Sequence, residues 1–395
     1  MEEILNIDEL RKLSFEKIER LQNERFRAIA SHLLSCTRFY RKLFNEHGVD
    51  PAKLKSVEDW HKAGLPLVKK LYYMNNVEDF IVKPESPFVT HAEYLMSLHS
   101  GEAVDFYIHL LHKQALQKKL YDYYSPKMPL FSGGTQSKRP TPTFITNKEL
   151  HNLQEVMAVA AQMMGAGYLK DMETVGMNLF PYGPHLAWQA VQIAFNLGVN
   201  LNLATAAGGA MRTKDLVAMA EKFKANVFAG MADYIANRFL PMAVKAKITL
   251  GPKAVFINGS EEMSNKDREK IICLARKLGV IEPVVLDFYG ASELKEDIMP
   301  ECAPGAGFHH ISPLSTIIRT VKINSIPKGD ALITDWEFTK PEEGGAAVLW
   351  TIDGAGTLLQ GYALGDSYGK IIKEKCPKCG LNTERIYGVK RIELK

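Results

Sequence analysis

The apolar positions of the first 44 residues recur at helical intervals. Between Asn6 and Phe44, apolar side chains return every three or four residues, which is the period of a helix that buries one face. Gly48 and Pro51 then interrupt the pattern, as residues that end helices do. The region therefore predicts one or two amphipathic helices. Their apolar positions are Leu10, Leu13, Ile18, Leu21, Phe26, Ile29, Leu33 and Leu34.

After Phe131 the pattern alternates between apolar runs of strand length and segments of helical period. Strands are predicted at 175–180, 201–203, 227–229 and 254–257, and helices at 147–164, 185–197, 214–223 and 234–244. This alternation indicates a parallel sheet with helices on its faces. From Ile311 onward, short strands bounded by Gly and Pro indicate a separate, more antiparallel subdomain. Residues 51–128 mix short helical pieces with strand-like stretches such as 88–90, and they give the weakest prediction.

Composition narrows the class of protein. The chain has 395 residues, 46% of them hydrophobic and 24% charged, enough for one large core with smaller lobes. The net charge of +4 comes from 49 basic and 45 acidic side chains along the whole chain, so no nucleic-acid surface is predicted. No apolar run approaches the ~18 residues of a membrane span. Five cysteines are too few for a disulfide framework, which predicts a reducing compartment, the cytoplasm.

A glycine-rich loop at 131–141 is the first candidate for chemistry. Two glycines allow a backbone to approach phosphate closely, while hydroxyls donate hydrogen bonds and a cation neutralises charge. The spacing differs from the mononucleotide P-loop G-x-x-x-x-G-K-[ST], and an ordinary solvated turn is the competing interpretation. The residues concerned are Ser132, Gly133, Gly134, Thr135, Ser137, Lys138 and Arg139.

Two further segments carry groups suited to a nucleotide. The apolar run 284–286 leads into Tyr289-Gly290-Ala291-Ser292-Glu293, which offers an aromatic face, a hydroxyl and a carboxylate able to hold Mg²⁺ at a strand's carboxyl end. Later, Asp366 follows two glycines and is able to accept two hydrogen bonds from ribose hydroxyls. A strand followed by a capped helix, and a turn aspartate, are the simpler interpretations of these segments.

In their order and spacing, these three segments resemble the adenylate-forming superfamily of acyl-CoA synthetases, specifically the phenylacetate-CoA ligase branch with the F390 synthetases. The resemblance covers most of the chain, including 21–25, 38–44, 48–49 and 54–60. It implies the α/β core of such enzymes, with parallel-rich sheets flanked by helices, a helical N-terminal cap and a small C-terminal β subdomain. The implied boundaries are 1–80, 81–310 and 311–395, the last ending near the hinge. The mobile C-terminal domain with its catalytic lysine is expected to be absent.

The resemblance also implies a role for each segment, with ATP and Mg²⁺ as cofactors. The loop grips the phosphates, Gly259, Ser260 and Glu261 line the adenine pocket, and Tyr289 stacks on adenine. Glu293 binds Mg²⁺ and Asp366 binds ribose. The segment 180–185 contacts the acid through Phe180, Tyr182, Gly183 and His185. The catalytic set implied is Thr135, Lys138 and Glu293.

Cysteine and histidine spacing predicts a further site. Cys302, His309, Cys376 and Cys379 form a Cys₃His set that suits a closed, structural zinc site. Some members of the branch look similar here. His310 is an alternative ligand, and Cys376 is alternatively an acyl-accepting thiol.

The sequence also departs from the branch. Residues 136–139 replace the usual Thr-Gly-Lys, and 83–124 have no recognised counterpart, so they are candidates for a cover over the acid or a homodimer contact. The resulting hypothesis is activation of an aryl or fatty acid to acyl-AMP, then transfer to CoA, a carrier protein or a cysteine. The alternatives are a catalytically weakened nucleotide- or acyl-binding regulator and, third, a redox or zinc enzyme built on Cys376 and Cys379.

Overall fold

A computed structural model describes residues 6–82, 123–132, 140–170, 172–183, 185–353 and 356–394. The N-terminal region is helical, as its periodicity predicts. Side chains of Asn6, Ser14 and Thr37 cap the starts of the first three helices, and Gly48, with φ of 62°, ends the third. The helices are α1 (Ile7–Lys12), α2 (Phe15–His32), α3 (Arg38–His47), α4 (Val57–Lys62) and α5 (Lys70–Asn75).

A mainly parallel sheet forms the centre of the α/β region. Its strands are β4 (Val175–Asn178), β5 (Leu201–Asn202), β6 (Val227–Gly230), β7 (Lys253–Asn258), β8 (Glu282–Tyr289) and β9 (Met299–Pro300). Their order is β5-β4-β6-β7-β8-β9, and only β9 runs antiparallel to its neighbour. The strands predicted at 175–180, 201–203, 227–229 and 254–257 are confirmed, the first ending two residues earlier than expected.

Helices cover both faces of this sheet. They are α6 (Asn147–Ala161), α7 (Leu186–Gly198), α8 (Thr213–Lys222), α9 (Ala232–Tyr234), α10 (Leu240–Ala246) and α11 (Asn265–Lys277). Single π turns follow α6 at Gln162–Ala166 and join α9 to α10 at Ile235–Phe239. Val255 and Ile257 pack in a core with α6 and α7, whereas Ala254 and Phe256 pack in a core with α8, α10 and α11. Alternate residues of one strand therefore serve two cores, as in a sheet buried on both faces.

A second sheet is largely antiparallel, as the short strands after Ile311 predict. It contains β1 (Val68–Lys69), β11 (Thr316–Ile323), β12 (Trp336–Phe338), β13 (Gly345–Thr351), β14 (Gln360–Tyr368) and β17 (Lys390–Arg391). The short strand β1 joins it by parallel pairing with β14. The N-terminal helices share one core with this sheet, and the Tyr40 hydroxyl accepts a hydrogen bond from the Gln360 backbone at 2.6 Å. This packing brings the start of α5 next to β14.

Smaller elements complete the described structure. A hairpin of β2 (Met128–Phe131) and β3 (Pro142–Ile145) flanks residues 133–139. A three-stranded sheet consists of β10 (Phe308–His309), β15 (Lys370–Ile372) and β16 (Arg385–Tyr387). In the part of the chain that the structure describes, no helix combines the length and the apolar character needed to cross a bilayer.

Candidate active site

The carboxyl ends of four neighbouring parallel strands open into one cleft. Phe180 follows β4, Met231 follows β6, Ser260 follows β7 and Gly290 follows β8, and all four residues line the cleft. Parallel strands end at the same edge of a sheet, where α/β proteins bind ligands. The cleft has a volume of about 280 Å³. The structure thus brings together these predicted residues: Ser132, Phe180, His185, Ser260, Gly290, Ala291, Ser292 and Glu293.

The turn after β7 is held in a fixed and sterically restricted shape. Asn258 donates hydrogen bonds at 2.8 Å to the Glu261 carbonyl and to the Asp287 carboxylate. Ser260 has φ of 69°, a left-handed conformation that costs energy for a residue with a side chain and is concentrated at functional sites. A Cβ added to Gly259 would lie 2.3 Å from the Phe288 ring, so only glycine fits there.

Glu261 is not among the residues that line the cleft. Its Oε1 accepts a hydrogen bond of 2.8 Å from the backbone N–H of Asp233, and the residue is exposed. Three residues were predicted to line the adenine pocket: Gly259, Ser260 and Glu261. Of these, Ser260 is among the residues that line the cleft.

Glu293 is a buried carboxylate with three close partners. It is 2% exposed. Lys70 Nζ lies 2.8 Å from Oε1, the Tyr362 hydroxyl donates to the same oxygen at 3.1 Å, and the Ser292 hydroxyl donates to Oε2 at 2.9 Å. Burial acts to raise the pKa of Glu293, but the charge and hydrogen bond of Lys70, together with hydrogen bonds from the Glu293 backbone and from Ser292, outweigh it, so the pKa is lowered. The carboxylate is therefore ionised at neutral pH and has the charge that a divalent cation requires.

Lys70 lines the cleft, and sequence reasoning did not find it. The parallel pairing of β1 with β14 sets Val68 opposite Tyr362, which brings Lys70, the first residue of α5, to Glu293. The neighbouring Lys69 points elsewhere, since its Nζ donates to the carbonyls of Pro327 and Gly329 at 2.6 Å. Two adjacent lysines in a weakly patterned region give no signal in the sequence that separates these two environments.

Asp366 lies in β14 directly opposite Arg391 of β17. Arg391 Nη1 is 3.0 Å from its Oδ1, and the Tyr289 hydroxyl donates to Oδ2 at 2.8 Å. Burial raises the pKa of Asp366 above its ordinary value even though Arg391 and Tyr289 act to lower it. Arg391 lines the cleft, whereas Asp366 and Tyr289 are not among its lining residues. The Tyr289 ring instead meets Tyr368 edge-on, with centroids 5.7 Å apart.

The stem of the predicted phosphate loop adjoins the cleft. Ser132 and Thr141 close the stem with hydrogen bonds of 3.1 and 3.2 Å, and Phe131 forms a bridge with His185. The loop residues Gly133, Gly134, Thr135, Ser137 and Lys138 lie outside the described residues, as does 83–122 of the segment that lacks a recognised counterpart.

The predicted acid-contacting segment is divided between the cleft and the surface. Phe180 and His185 line the cleft. Tyr182 is 69% exposed and packs edge-on against Trp188, with ring centroids 4.9 Å apart. Gly183 neighbours His185, whose Cδ2 would be 3.3 Å from an added Cβ. Neither Tyr182 nor Gly183 is among the lining residues of the cleft.

The four predicted metal ligands converge elsewhere. One ligand atom from each of Cys302, His309, Cys376 and Cys379 lies within 4.8 Å of the others. Cys302 Sγ is 3.7 Å from Cys376 Sγ, and Cys379 Sγ is 3.4 Å from His309 Nε2. Zinc bonds of about 2.3 Å to sulfur in a tetrahedron require sulfur atoms about 3.8 Å apart. The spacing therefore suits zinc, and none of the four residues lines the cleft.

Two other observations bear on this cluster. A hydrogen bond from Cys302 lowers the pKa of the Cys379 thiol, while the same pairing and burial raise the pKa of the Cys302 thiol. The alternative ligand His310 is not part of the cluster: its Nε2 lies 2.8 Å from the Asp297 carboxylate. Among the described residues, this is the one group of at least three such side chains that could hold a metal ion.

Comparison with protein-family models gives no match, and comparison with curated proteins gives none either. Solved structures do match. An open conformation of 2-hydroxyisobutyryl-CoA ligase with 2-HIB-AMP and CoA superimposes with a TM-score of 0.69 at 13% identity, over 98% of this chain and 72% of that chain. Its postadenylation state with R3-HIB-AMP gives a TM-score of 0.68 at 14% identity, over 97% and 69%. The likeness confirms the predicted fold: this chain has the core fold of adenylate-forming acyl-CoA ligases.

Proposed function

We propose that the protein activates a carboxylic acid with ATP to an acyl-adenylate and then transfers the acyl group to a thiol, with CoA as the acceptor. The observation that carries this proposal is the convergence at four strand ends of Ser132, Ser260 and Glu293 with the cations Lys70 and Arg391. An α/β fold alone does not determine function. The support for nucleotide binding therefore comes from this arrangement of side chains taken together with the fold.

Each proposed role follows the chemistry of its group. Asp366 accepts from the ribose hydroxyls, with Arg391 and Tyr289 fixing its orientation, and the turn of Gly259, Ser260 and Glu261 lies along adenine. Tyr289 lies at the end of the site that holds the adenine ring. The polyphosphate extends toward Ser132 and the loop residues Gly133, Gly134, Thr135, Ser137 and Lys138, whose amides, hydroxyls and cation suit phosphate oxygens.

Glu293 is the residue we propose to hold Mg²⁺, which supplies charge neutralisation to the triphosphate when bound. Its Oε2 has a single described partner, the Ser292 hydroxyl, and a carboxylate oxygen has a second lone pair for a cation. Lys70 keeps this carboxylate ionised and adds positive charge to the cleft. A carboxylate oxygen of the acid then attacks the α-phosphorus of ATP, and pyrophosphate leaves with the electron pair of the broken P–O bond.

We further propose that Cys302, His309, Cys376 and Cys379 hold a structural zinc ion. His309 Nε2 lies 3.4 Å from Cys379 Sγ, so it is the ring nitrogen directed at the cluster. The same region fastens the N-terminus, because Arg11 donates to the Cys379 carbonyl at 3.2 Å and the Asn382 backbone donates to Leu10 at 3.3 Å. A closed four-ligand set leaves no open position for redox or hydrolytic chemistry.

Exchange of labelled pyrophosphate into ATP tests the proposal. The purified protein should catalyse exchange that depends on Mg²⁺ and on an added acid. Glu293→Gln and Asp366→Asn should each lower the rate at least tenfold, whereas Glu337→Gln, at a surface pair with Lys322, should leave it unchanged. Absence of exchange with every acid, together with absence of ATP binding, would refute the proposal. Binding of ATP without turnover would instead favour the regulator alternative, which the structural neighbours do not support.

A further inference from the structure

A second pocket, here called the tail pocket, adjoins the cleft. It lies between α6, the π turn after α6, α7 and strands β6 to β8. Phe288 and Ile298 line both the tail pocket and the cleft. The cleft and the tail pocket are therefore neighbours that share the side chains of these two residues as a common wall.

The walls of the tail pocket are apolar throughout. None of the described residues that line it has a side-chain nitrogen or oxygen. Both helices present small residues to it, among them Ala160 and Ala161 on α6 and Ala190, Ala194 and Gly198 on α7. A polar substituent placed here would lose its hydration without gaining a hydrogen bond. The pocket therefore selects hydrocarbon.

The length of the tail pocket follows from α7. The first turn of α7, at Leu186 to Trp188, lines the cleft, and the stretch from Ala190 to Val199 lines the tail pocket. Nine residues of helix rise roughly 13 Å. An extended alkyl chain with bonds of about 1.5 Å advances about 1.3 Å per methylene, so at most about ten methylenes fit. A Cβ on Gly198 would be 2.3 Å from Ala161 Cβ, so α6 and α7 are in close contact at this point.

The width of the tail pocket favours a slender ligand. Its volume of about 40 Å³ accommodates about three groups the size of water or methylene, at roughly 10–15 Å³ each. Met157 and Met164 line it, and their unbranched side chains can move to admit a longer chain. A space of this size suits an alkyl chain better than a wider aromatic ring, because small residues without movable side chains, such as Ala160 and Ala194, line it on both helices.

We propose that the acid activated in the cleft is an unbranched alkyl monocarboxylic acid of about six to ten carbons. About three methylenes of its tail fill the tail pocket as it stands, and displacement of the methionine side chains makes room for a longer tail, up to the length of the lining. This inference rests on the proposed adenylation: the carboxylate oxygen forms the bond to the α-phosphorus, pyrophosphate leaves, and the tail takes no part in the bond changes. It selects between the aryl and fatty acids that the sequence left open.

Pyrophosphate exchange over a panel of acids tests the inference. The panel contains acetate, butyrate, octanoate, tetradecanoate, benzoate, phenylacetate and 2-hydroxyisobutyrate. We expect kcat/KM for octanoate to exceed that for butyrate at least tenfold, because octanoate buries four more methylenes. It should also exceed that for phenylacetate at least tenfold, because the ring is wider than an alkyl chain. Preference for phenylacetate, benzoate or 2-hydroxyisobutyrate would overturn the inference and leave the adenylation intact.

Variants of the tail pocket provide the second arm. Ala194→Leu fills the pocket and should lower the octanoate-to-butyrate ratio of kcat/KM at least tenfold, whereas Asn196→Leu, on the exposed side of the same helix, should not change it. Met164→Ala lengthens the pocket and should move the preference toward longer acids. An unchanged preference in both Ala194→Leu and Met164→Ala, each folded by circular dichroism, would overturn the assignment.

Direct binding separates failure of this inference from failure of the proposed function. If no acid supports exchange, calorimetric titration of octanoate into the protein still decides the matter. Micromolar binding that Ala194→Leu weakens at least tenfold would support an alkyl site without adenylation. No binding of octanoate would show that the tail pocket is a packing void only.

Discussion

Replacement of Lys70 tests how the cleft maintains a buried charge. Lys70→Met keeps the aliphatic stem and removes the ammonium, so Glu293 remains buried with only the hydroxyls of Tyr362 and Ser292. Breaking a buried ion pair costs about 3–5 kcal/mol. The Lys70 side chain is 17% exposed, and partial solvent screening lowers the expected loss to about 2–3 kcal/mol.

The loss of stability in Lys70→Met should change with pH in a defined direction. In the wild type the pKa of Glu293 is lowered, so its contribution to stability is present above the unfolded-state pKa and is lost as pH falls through the folded-state value. Without Lys70, burial dominates and raises that pKa, so the sign reverses. The destabilisation of Lys70→Met should therefore be largest near neutral pH and should diminish as Glu293 becomes protonated in acid.

Urea unfolding followed by tryptophan fluorescence, at neutral pH and in acid, measures the effect. Lys62→Met is the matched control, because the Lys62 side chain is 73% exposed in a surface pair with Asp59, and it should shift the midpoint little. The double variant Lys70→Met with Glu293→Gln should recover part of the loss, with a coupling of about 1–2 kcal/mol. Equal midpoints for Lys70→Met and Lys62→Met at neutral pH would refute the reasoning.

Three other perturbations have defined outcomes. Gly259→Ala should abolish pyrophosphate exchange and lower the free energy of unfolding by about 1–3 kcal/mol through overpacking. Gly251→Ala, with nothing within 4 Å of the added Cβ, should do neither. Equal effects of the two substitutions would contradict the role proposed for the turn at Gly259. Burial raises the pKa of Asp287 to about 8, so stability should fall as pH rises through that value, and Asp287→Asn should flatten this pH dependence of the unfolding midpoint. Zinc measured by plasma emission should be stoichiometric and should be lost, with a lower melting temperature, in Cys376→Ser but not in Cys273→Ser; a metal-free, equally stable wild type would contradict the zinc proposal.

Strand periodicity and motif position were sufficient to predict the fold and the edge of the sheet that forms the cleft. The run 284–286 and the glycine after Tyr289 mark a strand end, and parallel strands place such ends side by side. Ser260 and Glu293 therefore came together as the sequence indicated. The cysteine and histidine cluster was predictable from residue type and spacing, since Cys376 and Cys379 form a Cys-x-x-Cys pair and one more cysteine with one histidine completes a four-ligand zinc set.

Lys70, Tyr362 and the tail pocket could not be predicted in this way. Lys70 reaches Glu293 only because β1 pairs with β14, a contact between segments nearly three hundred residues apart that no local period encodes. Tyr182 is typical of an aromatic substrate contact in sequence, yet its ring is at the surface. The tail pocket depends on how closely α6 and α7 pack, which small residues permit but do not specify.

A crystal structure of the protein with ATP and Mg²⁺ tests the central claim most directly. The account predicts one nucleotide across the cleft, with ribose hydroxyls on Asp366, adenine beside the turn at Ser260, Mg²⁺ at Glu293 and the polyphosphate directed toward Ser132. Nucleotide bound away from these strand ends, or a cleft that stays without nucleotide at saturating ATP, would contradict it.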